Sequence, residues 1–219
     1  MKTTLISALA LVLSLTQLFA QSDKYNQAMT TTVDALNQQE GKQPDVAAFQ
    51  ELANRFERIA AAEPKEWLPR YHAAYCYTML GVMGDDASQK EQRLDKAEAM
   101  LKEMETLAGK PNDEVEVLKA FVTQARLAID PMSRWQTYGA QFGEHLAAAK
   151  AANADNPRIY VLEGTSLFYT PEQFGGGKKV AKPVLEKALE KFVTFKSPGA
   201  IYPQWGKGQA EWMAAQCKQ

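Results

Sequence analysis

The sequence predicts an all-α protein, and three observations carry that reading. Apolar residues recur at helical spacing through almost the whole chain after Gln21, as in Leu94, Ala97, Leu101, Met104 and in Leu118, Phe121, Val122, Ala125, Ile129. No stretch alternates with the period of two that a half-buried strand requires. Breakers stand where helices should turn: Gly41, Pro64, Gly81 with Gly84, Gly109 with Pro111, Pro131, Asn156 with Pro157, Pro171 and Pro198.

The first residues, "MKTTLISALALVLSLTQLFAQSD", combine one cation, Lys2, with an apolar run from Leu5 to Ala20 and a small residue before Gln21. That is the build of a secretory signal peptide over residues 1–20. Ser7, Ser14, Thr16 and Gln17 interrupt the run, whereas a retained span needs about 20 firmly apolar residues. No cysteine follows Ala20 to take a lipid. The expected product is an exported, periplasmic or secreted chain over residues 21–219, without stable membrane insertion. At about 200 residues it is long enough to bury roughly 70% of its unfolded surface as a single domain. Its formal charge changes from -1 to -2 on loss of Lys2, so no strong field favours nucleic acid or an anionic membrane.

After this leader, a helix pair fits between Ser22 and Pro64, the second helix carrying Leu52, Phe56 and Ile59. The next helix begins near Trp67 and presents Trp67, Tyr71 and Tyr75 at i, i+4, i+8. From there the punctuation repeats: 45 residues separate Trp67 from Asn112, and 45 separate Asn112 from Pro157. Each interval holds two helical stripes joined by a turn. A hairpin of that size cannot shelter its own apolar stripe and must lean on a neighbour. The architecture expected is therefore an αα-hairpin solenoid of about four helix hairpins plus a C-terminal capping helix, opening near Gln209. Gly139 and Gly143, four apart, suggest a close helix crossing.

Small and large residues are distributed in these hairpins in a way that resembles the tetratricopeptide-repeat family. "YHAAYCYTMLG" offers Ala74, Tyr77 and Gly81, and "KAEAMLKEM" offers Ala97, Leu101 and Met104. In the last hairpin, "RIYVLEGTSLF" offers Tyr160, Gly164 and Leu167, and "KVAKPVLEKALEKF" offers Ala181, Leu185 and Ala188. The repeats exceed the family's ~34 residues. The run "NPRIYVLEGTSLFYTPEQFGGGKKVAKPVLEKALEKF" with the later "YPQWG" also looks like a group of exported bacterial proteins with degenerate repeats of this kind. In the family, the first helices of the hairpins line a groove that holds an extended peptide or a partner's tail. The resemblance thus makes Leu68, His72, Tyr75 and Met79, with Arg158, Thr165 and Tyr169, candidate groove residues. The plainer alternative is that the aromatic stripe is core between hairpins.

"YTPEQFGGGKKVAKPVLEKAL" raises the question of a phosphate-binding loop. A nucleotide loop needs G-x-x-x-x-G-K-[ST] after a strand, but here the glycines are adjacent, no hydroxyl follows Lys178, and a helix precedes. A simpler anion site would use Gly175, Gly176 and Gly177 with Lys178 and Lys179. The competing and preferred reading is a sharp inter-helix turn that only glycine tolerates, with Phe174 tucked beneath. Cys76 and Cys217 either form a disulfide in an oxidising compartment or remain a packed thiol and a tail thiol. His72 and Cys76 lie one helical turn apart, too few to make a metal site. The acid pairs Asp85-Asp86 and Glu103-Glu105 read as a helix start and a solvated face. No catalytic residue and no cofactor is expected. A non-catalytic module that binds a protein or peptide is the main reading, a small-ligand binder with an aromatic-lined groove is the alternative, and an enzyme ranks behind both.

Overall fold

The computed structural model describes residues 23–43, 45–108 and 112–218. The expected leader, and the breakers Gly109 and Pro111, lie outside the described residues. Among the described residues the chain is helical, with no strand. The helices are α1 (23–37), α2 (Val46–Ala62), α3 (Leu68–Met83), α4 (Ala87–Ala108), α5 (Asp113–Ile129), α6 (Pro131–Ala152), α7 (Pro157–Tyr169), α8 (Lys178–Thr194) and α9 (Lys207–Gln216).

Local chemistry explains most of the helix starts. Asp45 accepts hydrogen bonds from the Ala47 and Ala48 N–H groups, Asn112 from Glu114 and Val115, and Asn156 from Arg158, satisfying donors that a first helical turn leaves open. Pro69, Pro131 and Pro157 stand at first-turn positions, where a missing N–H costs little. Asp86 caps α4 through the Gln89 N–H, as the reading of Asp85-Asp86 anticipated.

Consecutive helices pack as neighbours: α3 against α4, α5 against α6, α7 against α8, and α9 across α8 and α7. The odd-numbered helices also touch in order, α3 to α5 and α5 to α7. One continuous core runs from Met29 of α1 through Phe56, Tyr71, Leu94, Leu118 and Ile159 to Trp205. A second, smaller cluster joins Ala181 and Leu185 of α8 to Met213 and Ala214 of α9.

Two glycines locate where paired helices come closest. A Cβ on Gly81 would lie 2.8 Å from Leu94 Cδ2, and one on Gly164 would lie 2.6 Å from Leu185 Cδ2. Leucine of the second helix fills the gap that glycine leaves in the first, in both hairpins. Gly81 is thus a contact residue inside α3, and the helix ends at Gly84. Gly139 and Gly143 behave differently: nothing approaches either within 4 Å, so the close crossing expected there is absent. Glu103 and Glu105 are likewise more than a solvated face. Glu103 pairs with Arg70 at 2.7 Å, and Glu105 with Lys119. Arg126 of α5 joins Glu91, Asp95 and Glu98 of α4.

The glycine loop closes upon itself. Its backbone N–H groups donate inward, Gly175 to Glu172 O at 2.9 Å, Gly176 to Pro171 O at 3.2 Å and Gly177 to Leu167 O at 2.8 Å. Gly175 and Gly177 have φ of 84° and 100°, and a Cβ on Gly176 would meet Thr170 O at 2.1 Å. Those donors are unavailable to an anion, and Lys178 and Lys179 point into solvent. Phe174 is 67% exposed rather than tucked beneath the loop. Gly176→Ala is expected to cost more than about 3 kcal/mol. Replacing Lys178 and Lys179 together by alanine should stay within about 0.5 kcal/mol. Thermal unfolding of both variants checks the contrast, and an equal loss would show that the lysines, too, hold the turn.

Candidate functional site

The side-by-side arrangement of α3, α5 and α7 creates a face, and a buried polar network governs what lies on it. Glu114, near the start of α5, accepts Arg158 Nε at 3.0 Å and a second bond from Arg158 Nη2. It also accepts Tyr71 Oη from α3 at 3.2 Å and Asn156 Nδ2 at 2.8 Å. Arg158 and Glu114 side chains are only 1% and 7% exposed. Burial alone would disfavour the guanidinium charge, but the Glu114 carboxylate beside it raises the pKa and keeps it protonated.

The same network reaches into the C-terminal segment between α8 and α9. Arg158 Nη1 donates to Pro203 O at 3.2 Å, and Trp205 Nε1 donates to Tyr71 Oη at 3.0 Å. Trp205 packs against both Tyr75 of α3 and Phe121 of α5, with ring centroids 5.1 and 5.6 Å away, and those two rings also touch each other at 6.1 Å. His72 Nε2 donates to Ile201 O at 2.8 Å. From the other side, Glu40 Oε1 in the α1–α2 turn accepts the Gly206 and Gly208 N–H groups, both at 3.0 Å, capping α9. The chain's own tail therefore crosses the face where the family resemblance put a guest peptide.

What remains beside the tail is a cavity of about 690 Å³. It is lined by Phe49 of α2, by His72, Tyr75 and Met79 of α3, and by Trp205 and Trp212, Tyr75 and Trp205 being stacked on each other. The α1–α2 turn adds Glu40 and Lys42 to the lining. The volume falls in the range of about 300–1,000 Å³ usual for small-molecule sites, and so does an apolar, aromatic lining with a few polar groups. A larger hollow of about 820 Å³ lies between α1 and α2, but it is lined by Arg55, Arg58, Lys24 and two threonines, with Tyr25 as its one aromatic.

Of the groove residues suggested by resemblance, His72, Tyr75 and Met79 meet in this cavity. Leu68 is buried in the core. Arg158 is spent on Glu114 and Pro203. Thr165 is half-buried, accepting Gln209 Nε2 at 3.0 Å, and Tyr169 is exposed. Cys76 is buried in the main core while Cys217 packs on the second cluster; both thiols are free, so the bridge weighed for them is not formed. Among the described residues no three His, Cys, Asp or Glu side chains gather to hold a metal ion. The C-terminal segment was legible as a cap on the last hairpin, but that it and the α1–α2 turn would line a cavity was not. The one signal of this was a non-helical run holding Ile201, Tyr202 and Trp205, three large apolar residues that needed cover.

His72 gives this site a pH dependence. Its ring is stacked on Phe56 at 4.9 Å and is 2% exposed; Ile201 O can only accept, so Nε2 carries the proton and the buried Nδ1 has no partner. Burial lowers its pKa from 6.5 to about 4. The unfolded chain then binds this proton more tightly than the folded one, so stability rises with pH between about 4 and 6.5. It falls by about 3 kcal/mol as pH drops through that window. Urea unfolding across pH 4–7 is expected to show that loss, and His72→Asn should flatten this part of the slope.

No family model matches the chain. The search of curated proteins also finds no match. Among solved structures, the HusA haemophore from Porphyromonas gingivalis is similar at a TM-score of 0.76 and 37% identity, across 89% of this chain and 92% of that one. Identity at that level over nearly the full length of both chains means that the chain belongs to the family of the HusA haemophore.

Proposed function

We propose that this protein is a non-catalytic, exported haem carrier that holds a flat apolar macrocycle in the cavity between α3, the α1–α2 turn and the C-terminal segment. The observation that carries the reading is the cavity's lining, which gathers Phe49, Tyr75, Met79, Trp205 and Trp212, with Trp212 the most exposed of these aromatic rings. Aromatic faces stack well on a large conjugated ring. The relative's description as a haemophore supports the same ligand class.

Peptide capture on the α3–α5–α7 face is the weaker reading, because Trp205, Pro203 and Ile201 of the chain itself already engage Tyr71, Arg158 and His72 there. In this view the four helix pairs are a short tetratricopeptide-like stack whose groove is closed by its own tail. Export rests on the leader read in residues 1–20, and no described helix is long and apolar enough to cross a membrane. Grip on the ring comes from stacking and apolar contact. His72 offers it no free nitrogen, since Nε2 is engaged by Ile201 O and Nδ1 is enclosed.

Two of the four tryptophans line the cavity, so haem binding is expected to quench intrinsic fluorescence in a saturable, one-site manner. Trp212 is 55% exposed at the rim and can be removed without opening the core. Trp212→Ala should weaken haem binding about tenfold, the equivalent of one stacked aromatic contact. Absence of saturable quenching and of any change in the haem absorbance spectrum would refute the reading.

A further inference from the structure

The two ends of the cavity differ in chemistry, and the difference bears on how a ligand is oriented. The helices and the C-terminal segment contribute Phe49, Tyr75, Met79, Trp205 and Trp212, while the α1–α2 turn contributes Asn37, Gln39, Glu40, Lys42 and Gln43. Two of these polar groups are already committed. Asn37 Nδ2 donates to Gln204 Oε1 at 3.3 Å, and Glu40 Oε1 holds the first N–H groups of α9, where the positive end of the helix offsets its charge.

Lys42 is the one cation lining this cavity among the described residues, and its ammonium forms no ion pair or hydrogen bond there. Gln39 and Gln43 beside it also have uncommitted side-chain amides. An unpaired ammonium with amide donors, set against an apolar slot, matches a molecule that is flat and greasy over most of its area and anionic at one edge. Carboxylate is the matching group for such donors, because charge-assisted bonds to it are the strong ones.

We infer that the α1–α2 turn is the carboxylate-recognising end of the site: Lys42, assisted by Gln39 and Gln43, orients the ligand by pairing with its acidic edge and makes the site select free acids over neutral esters. This inference rests on the haem reading above, whose ring carries two carboxylated side chains. Lys42 is a specificity residue in this scheme, and the aromatic walls supply the bulk of the affinity.

The test is fluorescence titration of wild type, Lys42→Gln and Lys42→Arg with haem and with haem dimethyl ester, at low and at high salt. Lys42 is exposed, so all three proteins should melt together. Wild type is expected to bind the free acid about fivefold more tightly than the ester, with the preference shrinking in high salt. Lys42→Gln should lose the preference by weakening the acid alone, and Lys42→Arg should retain it. Equal binding of acid and ester by wild type, or an undiminished preference in Lys42→Gln, overturns the inference while leaving the haem reading standing. If wild type binds neither compound, the haem reading fails and this assignment falls with it.

Discussion

The bond between Glu114 and Arg158 organises the molecule around the site. A carboxylate and a guanidinium removed from water each cost several kcal/mol, and the pair is tolerated because each ion is held by several hydrogen bonds. Glu114 accepts from Arg158, Tyr71 and Asn156, which belong to α7, α3 and the α7 cap. Arg158 Nη1 donates in addition to the carbonyl of Pro203. Three helices and the C-terminal segment are thus tied at one point, and removing either ion would strand the other.

That knot decides what the helical face can be used for. With Trp205 hydrogen-bonded to Tyr71 and packed on both Tyr75 and Phe121, the tail is a fixed part of the cavity lining instead of a loose end. A face that would have been long and open is shortened to a slot of about 690 Å³. Glu40 completes it from the opposite end of the chain by capping α9. A preformed cavity of this construction avoids the ordering cost that a mobile tail would add to a binding event.

The helices were legible because their signals are local. Period, cap residues and first-turn prolines at positions such as Asn112, Asn156 and Pro157 are written within a few residues of the structure they produce. The pairing of Gly164 with Leu185 was legible too, since size complementarity between neighbouring helices leaves a small–large pattern. Part of the candidate site was suggested by the resemblance, which named His72, Tyr75 and Met79 of α3, and these three meet at the cavity. The rest depends on contacts over more than 100 residues, Tyr71 with Trp205 and Glu40 with Gly206, which no periodicity records. Gly139 and Gly143 show the converse error, a motif for close packing that meets open space.

Amide hydrogen exchange over residues 196–206, compared between wild type and Glu114→Gln, tests the central claim most directly. If the buried pair pins the tail, this segment should exchange slowly in wild type and about a hundredfold faster in the variant, while α8 keeps its protection. Equal exchange of the segment in the two proteins would mean that the tail is held independently of Glu114 and Arg158, contradicting the account.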